Sequence, residues 1–194
     1  MTSLLMLIRH AESLWNAAGR WQGHGDPPLS PEGVRQAEGL AASLQSERPD
    51  RLVASDLQRA RQTAAALGRT WSLEPELDGR LRELDIGTWT GLRREEIAAR
   101  EPEVLRRFDA GDPELRVGGG ESRAAIRQRA RAFVEHLVAR YPGERIAIVT
   151  HLGFVRALIP DAEPGNVEVI RLRAGDLLQR RTLDAPASPP AGPL

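Results

Sequence analysis

Two short apolar runs constrain this chain more than any other feature. Leu4 to Ile8 ends in Arg9-His10, and Ile146 to Thr150 ends in His151. Apolar runs of this length, bounded by polar residues, read as buried strands. In an open α/β sheet, ligands bind at the carboxyl ends of the strands. Two strands of one sheet that both end in histidine therefore bring two imidazoles to one crevice from opposite ends of the sequence. A permanent cation, Arg9, stands beside the first. That combination points to phosphoryl chemistry through a histidine.

The remaining pattern alternates strands and helices. Ser30-Pro31 opens a helix, serine as N-cap and proline at the first helical position, followed by Val34, Ala37, Leu40, Ala41 and Leu44 at helical spacing. Arg51 to Ala54 reads as a strand, Ser55-Asp56 as the cap of a helix reaching about Leu67, and Leu73 to Leu77 as a third strand. Gly91 to Phe108 reads as two helical pieces broken at Pro102. Glu121 to Tyr141 is a long amphipathic helix with Ile126, Ala130, Phe133, Val134, Leu137 and Val138 inward. After Arg145 to Thr150 and a short helix from Gly153 to Ile159, Val167 to Leu172 and Leu177 to Thr182 read as a hairpin about Ala174-Gly175-Asp176. This order predicts an α/β fold: a three-layer α/β/α sandwich with a mainly parallel sheet and a C-terminal antiparallel hairpin at its edge. Residues 1–184 are expected to form one domain, and 185–194 a Pro/Ala-rich tail without a core of its own.

Composition narrows the chemistry. The 194 residues carry 27 basic and 27 acidic side chains, so no net field draws the chain to nucleic acid or membrane. Lysine is absent, which leaves guanidinium forks, suited to bidentate phosphate binding, for any anion site. Cysteine is absent too, which excludes disulfides, thiolate metal sites and cysteine nucleophiles. The N-terminus lacks the basic n-region and long apolar stretch of a signal peptide. A cytoplasmic protein is the expectation, with a homodimer left open.

Phosphomonoester cleavage needs a nucleophile in line with the leaving oxygen, cations on the equatorial oxygens and an acid for the leaving alkoxide. His10 is the candidate nucleophile, since a neutral imidazole is nucleophilic near pH 7. Arg59, in the segment Ser55 to Ala64, falls near a helix N-terminus, where an anion is already favoured. Taken alone, Arg59 and Arg61 read equally as a solvated helix face. Glu83 lies between Leu81 and Leu84, just before a glycine turn, so its carboxylate is expected to be partly desolvated, as suits a general acid. His151 would donate an N–H to a phosphate oxygen, with the backbone N–H of Leu152 beside it.

These segments together resemble the histidine phosphatase superfamily, which includes the cofactor-dependent phosphoglycerate mutases. The family's Arg-His-Gly-Glu appears as Arg9-His10-Ala11-Glu12. Its Ser-x-x-x-Arg-Ala-x-x-Thr helix start appears as Ser55 to Thr63. Its glutamate before Gly-x-x-x-Gly is Glu83 with Gly87 and Gly91, and its late Thr-His-Gly appears as Thr150-His151-Leu152. The four segments span nearly the whole chain in the expected order. The resemblance implies that His10 is phosphorylated, that Arg9, Arg59 and His151 grip the phosphoryl group, and that Glu83 protonates the leaving group and then activates water. It also implies phosphate contact by Asn16 and substrate contact by Gln22, a small phosphorylated substrate, and neither cofactor nor metal. Two departures stand out: Ala11 and Leu152 each replace a glycine. An added methyl at position 11 is tolerable where φ is negative.

Within the family the sequence favours a phosphatase over a mutase. A mutase must shield phosphohistidine from water and hold a second anionic group, yet the stretch from Gly91 to Gly118 is short. Its Arg93, Arg94, Arg106 and Arg107 read as solvated. Where the mutases carry a tyrosine the chain has Ile86. A phosphate-binding pseudoenzyme that recognises a phosphoprotein would have lost His10 or Glu83. Other motifs fail. His10-Ala11-Glu12 lacks the cysteine pair of zinc deaminases, and Gly118-Gly119-Gly120 precedes an acid, not a Walker lysine. Glu121 reads as a helix cap or an arginine brace, His24 and Asp26 as loop polarity, and His136 as structural or solvent-facing. Trp15 and Trp21 read either as walls of the substrate mouth or as loop packing.

Overall fold

The computed structural model describes residues 2–179. The tail 185–194 and the distal end of the expected hairpin, 180–182, lie outside the described residues. The chain runs β1 (Leu4–Arg9), α1 (Leu14–Ala17), α2 (Pro31–Ser43), β2 (Arg51–Ala54), α3 (Gln58–Trp71), β3 (Glu76–Leu77), α4 (Arg94–Arg100), α5 (Pro102–Asp109), α6 (Arg123–Arg140), β4 (Arg145–Thr150), α7 (Leu152–Leu158), β5 (Val169–Arg173) and α8 (Ala174–Gln179).

The five strands form one mixed sheet in the order β3-β2-β4-β1-β5. β1 and β2 each pair parallel with β4, β3 pairs parallel with β2, and β5 pairs antiparallel with β1. Side chains alternate between the faces, as the pleat requires. Leu5, Leu7, Val53, Ile146 and Ile148 face one core with the inner face of α6 and α7. Met6, Ile8, Leu52, Ala54, Ala147 and Val149 face the other, with α2 and α3. Both faces are covered, which is why β1 and β4 read as continuous apolar runs.

The helix starts follow local chemistry. Ser30 caps α2 by accepting from Gly33 N at 2.9 Å, with Pro31 at the first helical position. Ser122, not Glu121, caps α6 through Ala125 N. α3 begins at Gln58, later than expected. Ser55 and Asp56 lie before it, and the Gln58 N–H is capped by Asp26 Oδ1 from the preceding loop.

The hairpin expectation needs correcting. Its first arm is β5, but its second falls on α8. Ala174 and Leu177 are both buried, three residues apart, and Asp176 sits in the first turn where the helix dipole favours an acid. In so short a segment a period of two and a helical period fit equally well, and packing against α6 selects the helix. The third strand is likewise cut to Glu76–Leu77.

Two 3-10 turns, Gly79–Leu81 and Gly87–Trp89, carry the chain across the strand ends. Gly118 packs against the second of them so closely that a Cβ there would meet Thr88 N at 2.3 Å, and its φ of +56° is also glycine's. The loop 118–120 is thereby pinned beside the Glu83 segment.

Candidate active site

Strand register builds the centre of the site. Arg9 pairs with Thr150 across β1 and β4, so the next residues, His10 and His151, emerge side by side. The His10 N–H donates to Thr150 O at 3.0 Å, extending the ladder by one step. The two rings lie with centroids 5.0 Å apart, inclined at 59°.

His10 is only 2% exposed, and its two ring nitrogens have different partners. Nδ1 lies 2.7 Å from Ala11 O, which accepts but cannot donate, so Nδ1 carries the proton. Nε2 then holds the lone pair and accepts from Arg59 Nε at 3.2 Å. Burial, followed by the neighbouring Arg59 charge, holds the ring's pKa well below the usual 6.5, against the opposing pull of the Ala11 carbonyl. The imidazole is therefore neutral at neutral pH, with its nucleophilic nitrogen facing a guanidinium. Ala11 is not among the residues with positive φ, and its N–H donates to Thr63 Oγ1, so its methyl fits.

His151 is fully buried. Its Nε2 lies 2.9 Å from Ser55 Oγ, which also accepts from Leu57 N. A serine hydroxyl can donate or accept; in the tautomer where Ser55 donates to Nε2, the proton of His151 sits on Nδ1. That atom is buried and has no hydrogen-bond partner among the described residues. Burial first, then Arg59 and His10, keep this ring neutral as well.

Arg59 lies in the first turn of α3, fully buried. Its Nη1 donates to Gly25 O at 2.7 Å and its Nη2 to Gly23 O at 3.0 Å, so the loop 23–25 aims its Nε at His10. Burial lowers its pKa to about 10, which still leaves it charged at neutral pH. Arg9 donates from Nη1 to Pro164 O at 2.9 Å, while its Nε is buried without a partner among the described residues. Burial lowers its pKa too, opposed by the charge of Glu83.

Glu83 is half-buried at the strand ends. Its Oε1 accepts from Leu84 N at 2.8 Å and its Oε2 from Gly153 N at 3.2 Å. A Cβ on Gly153 would lie 2.1 Å from Oε1, so the carboxylate occupies the space that glycine leaves. The backbone behind Glu83 is held by Arg129, which donates to the carbonyls of Arg80, Arg82 and Glu83 and forks onto Glu121. Glu121 is thus the arginine brace. His24 adds a 2.9 Å contact to Glu83 O.

A cleft of about 760 Å³ opens onto these groups, lined by Arg9, His10, Glu83, Asn16, Gln22 and Leu152 among others. Asn16 and Gln22 are tied together through Ser13: Asn16 Oδ1 accepts from Ser13 N, and Ser13 Oγ lies 2.7 Å from Gln22 Oε1. Leu152 is the first residue of α7, at the cleft wall. Trp21 also lines the cleft, whereas Trp15 fills the space left by Gly25 and Gly91. Arg94, expected to be solvated, reaches the cleft paired with Asp109. A second groove, along α3 and the loop to β3, contains neither His10 nor His151. All eight residues singled out from the sequence therefore converge on one end of the sheet. Sequence reasoning missed Ser55 as a partner of His151, Thr63, Gly153 and Asn166, whose Nδ2 donates to His10 O at 2.8 Å. Of these, only Ser55 and Thr63 carried a signal, since both lie in the segment that resembles the family's helix start.

Among the described residues no cluster of three His, Cys, Asp or Glu side chains forms a metal site, and no helix is long and apolar enough to cross a membrane.

The chain is similar in sequence and fold to known phosphatases. The family described as histidine phosphatase superfamily (branch 1) matches residues 5–181. A phosphoserine phosphatase of Hydrogenobacter thermophilus is 37% identical over 154 residues, covering 79% of this chain and 73% of its own. A metal-independent phosphoserine phosphatase of Arabidopsis thaliana is 36% identical, over 79% of this chain and 66% of its own. A solved mycobacterial glucosyl-3-phosphoglycerate phosphatase, in complex with VO3, superposes with a TM-score of 0.81 at 32% identity, over 87% of this chain and 90% of that one.

Proposed function

The chain belongs to the histidine phosphatase superfamily, branch 1, and is a phosphatase of that family; we propose that it cleaves a small phosphorylated metabolite, with no metal, through a phosphohistidine on Nε2 of His10. The substrate phosphoryl group enters between the two histidines. Arg59 Nε shifts its donation from His10 Nε2 to a phosphoryl oxygen, which frees the lone pair. Nε2 attacks phosphorus in line with the ester oxygen, the P–O bond breaks, and the leaving alkoxide takes a proton from Glu83. Arg9, Arg59 and the Nδ1–H of His151 carry the charge on the equatorial oxygens. Asn16, Gln22 and Leu152 shape the entrance to the cup.

In the second half Glu83, now a carboxylate, removes a proton from water. The resulting oxygen attacks phosphorus, the Nε2–P bond breaks, and inorganic phosphate leaves. His10 returns to its neutral tautomer because Ala11 O keeps the other proton on Nδ1. Each role calls on a group already held by its neighbours, so little reorganisation is spent at the moment of reaction.

The observation that carries this reading is the His10–His151 pair, with Nε2 of one directed at Arg59 and Nδ1 of the other buried without a hydrogen-bond partner among the described residues. The test is hydrolysis of p-nitrophenyl phosphate and O-phosphoserine in excess EDTA, with His10→Ala as control. Turnover that survives EDTA and is lost in the variant supports the proposal. Turnover that EDTA abolishes, or that the variant retains, overturns it.

A further inference from the structure

We infer that Arg123, on the wall of the cleft, receives a carboxylate of the substrate, so that the enzyme prefers phosphomonoesters that also carry a carboxylate. The inference rests on the phosphatase reading above and extends it to the part of the cleft beyond the phosphoryl cup.

The cleft beyond His10 is rich in guanidinium groups, but most are already matched. Arg94 forks onto Asp109, with its shorter contact at 2.5 Å, Arg156 pairs with Glu163, and Arg20 lies 3.6 Å from Glu96. Arg123 differs. It has no carboxylate within ion-pair distance among the described residues. Its one hydrogen bond is from Nη2 to Phe108 O at 3.1 Å, and its Nε is buried without a partner among the described residues. Its guanidinium carbon stands 4.4 Å from the centre of the Phe108 ring, within the range of a cation–π contact.

Such a cation is undercompensated. Burial lowers its pKa, the like charge of Arg156 adds to the effect, and Asp109 offsets it only from a distance. An arriving anion relieves both costs. Arg156 also acts on Arg9 of the phosphoryl cup, and Arg9, Arg156 and Arg123 line the same cleft as His10. A ligand with its phosphoryl group at His10 and a second anionic group toward Arg123 matches that arrangement. The nearby charge of Asp109 favours a monoanion over a second phosphate, whose extra charge it would repel. A planar carboxylate suits a planar guanidinium fork.

The experiment compares O-phosphoserine with O-phosphoethanolamine, which differs only by the carboxylate. Wild-type enzyme is expected to show kcat/KM at least tenfold higher for phosphoserine. Arg123→Gln is expected to reduce that preference to less than threefold, mostly through a higher KM for phosphoserine, and Arg123→Lys to restore part of it. An unchanged preference in Arg123→Gln overturns the inference, as does a wild type that does not distinguish the two substrates. If wild type hydrolyses neither of these nor p-nitrophenyl phosphate, the phosphatase reading itself fails, and the two failures are thereby told apart.

Discussion

Gly153 leaves open a space that the Glu83 carboxylate fills: a methyl built on Gly153 would stand 2.1 Å from Glu83 Oε1, while the Gly153 N–H donates to Oε2. The position of the acid is therefore set by a missing side chain on α7. Gly153→Ala is expected to push the carboxylate aside without disrupting the fold, because the obstructed atom is the end of a flexible side chain. Activity on alkyl phosphates, whose leaving group needs a proton, should fall about 100-fold, in the range of general acid catalysis. Activity on p-nitrophenyl phosphate, whose leaving group needs none, should fall much less in its first chemical step. Stopped-flow measurement with both substrates checks this, and equal losses on both would contradict it.

Glu83 is assigned to both halves of the reaction. In Glu83→Gln the first half should still proceed with p-nitrophenyl phosphate, while hydrolysis of phosphohistidine stalls for want of a base. A burst of nitrophenol equal to the enzyme concentration, followed by slow turnover, is the expected trace. A variant with linear product formation from the start would separate Glu83 from the second step.

Ser55 Oγ lies 2.9 Å from His151 Nε2 in a buried position, and the proposed mechanism requires it to donate there so that Nδ1 keeps the proton. In Ser55→Ala the ring is free to place its proton on the wrong nitrogen. The loss of one buried hydrogen bond of about 1–1.5 kcal/mol corresponds to about a tenfold fall in kcat. Ser55→Thr should recover most of it, which a loss due to packing alone would not. Steady-state kinetics on the two variants, with melting temperatures as a control, measure the difference.

Both histidines are neutral in the folded state because burial lowers their pKa below the ordinary 6.5. The unfolded chain therefore binds more protons than the folded one as pH falls below about 6.5. The stability contributed by the neutral rings is full above that value and is lost below it, at up to about 1.4 kcal/mol per pH unit for each ring. Denaturant titrations at pH 7.5, 6 and 5 should show this decline, and His151→Asn should decline less steeply. A wild type equally stable at pH 5 and 7.5 would contradict it. The acid limb of kcat/KM should correspondingly lie below pH 6.5.

The site was legible in the sequence to the extent that its parts lie within single short segments. His10 and His151 follow buried apolar strands, and strand ends are where a parallel sheet presents its ligands. Glu83 and Arg59 were readable through the motifs around them. What was not legible comes from afar. Asn166 reaches His10 across 156 positions, and Asp26 caps α3 from the loop before it. The sequence gives no sign of the contact between Arg123 and Phe108, which lie on separate helices fifteen positions apart. The α8 helix was misread as a strand since its few apolar residues carry too little periodicity to separate the two.

The most direct test of the central claim is chemical trapping of the intermediate. Enzyme mixed with radiolabelled substrate and quenched in alkali within milliseconds should carry label that is stable to base, labile to acid, and located on the peptide containing His10. His10→Ala should carry none. Label on another residue, or full turnover with no labelled protein at any quench time, would contradict a phosphohistidine mechanism at this site.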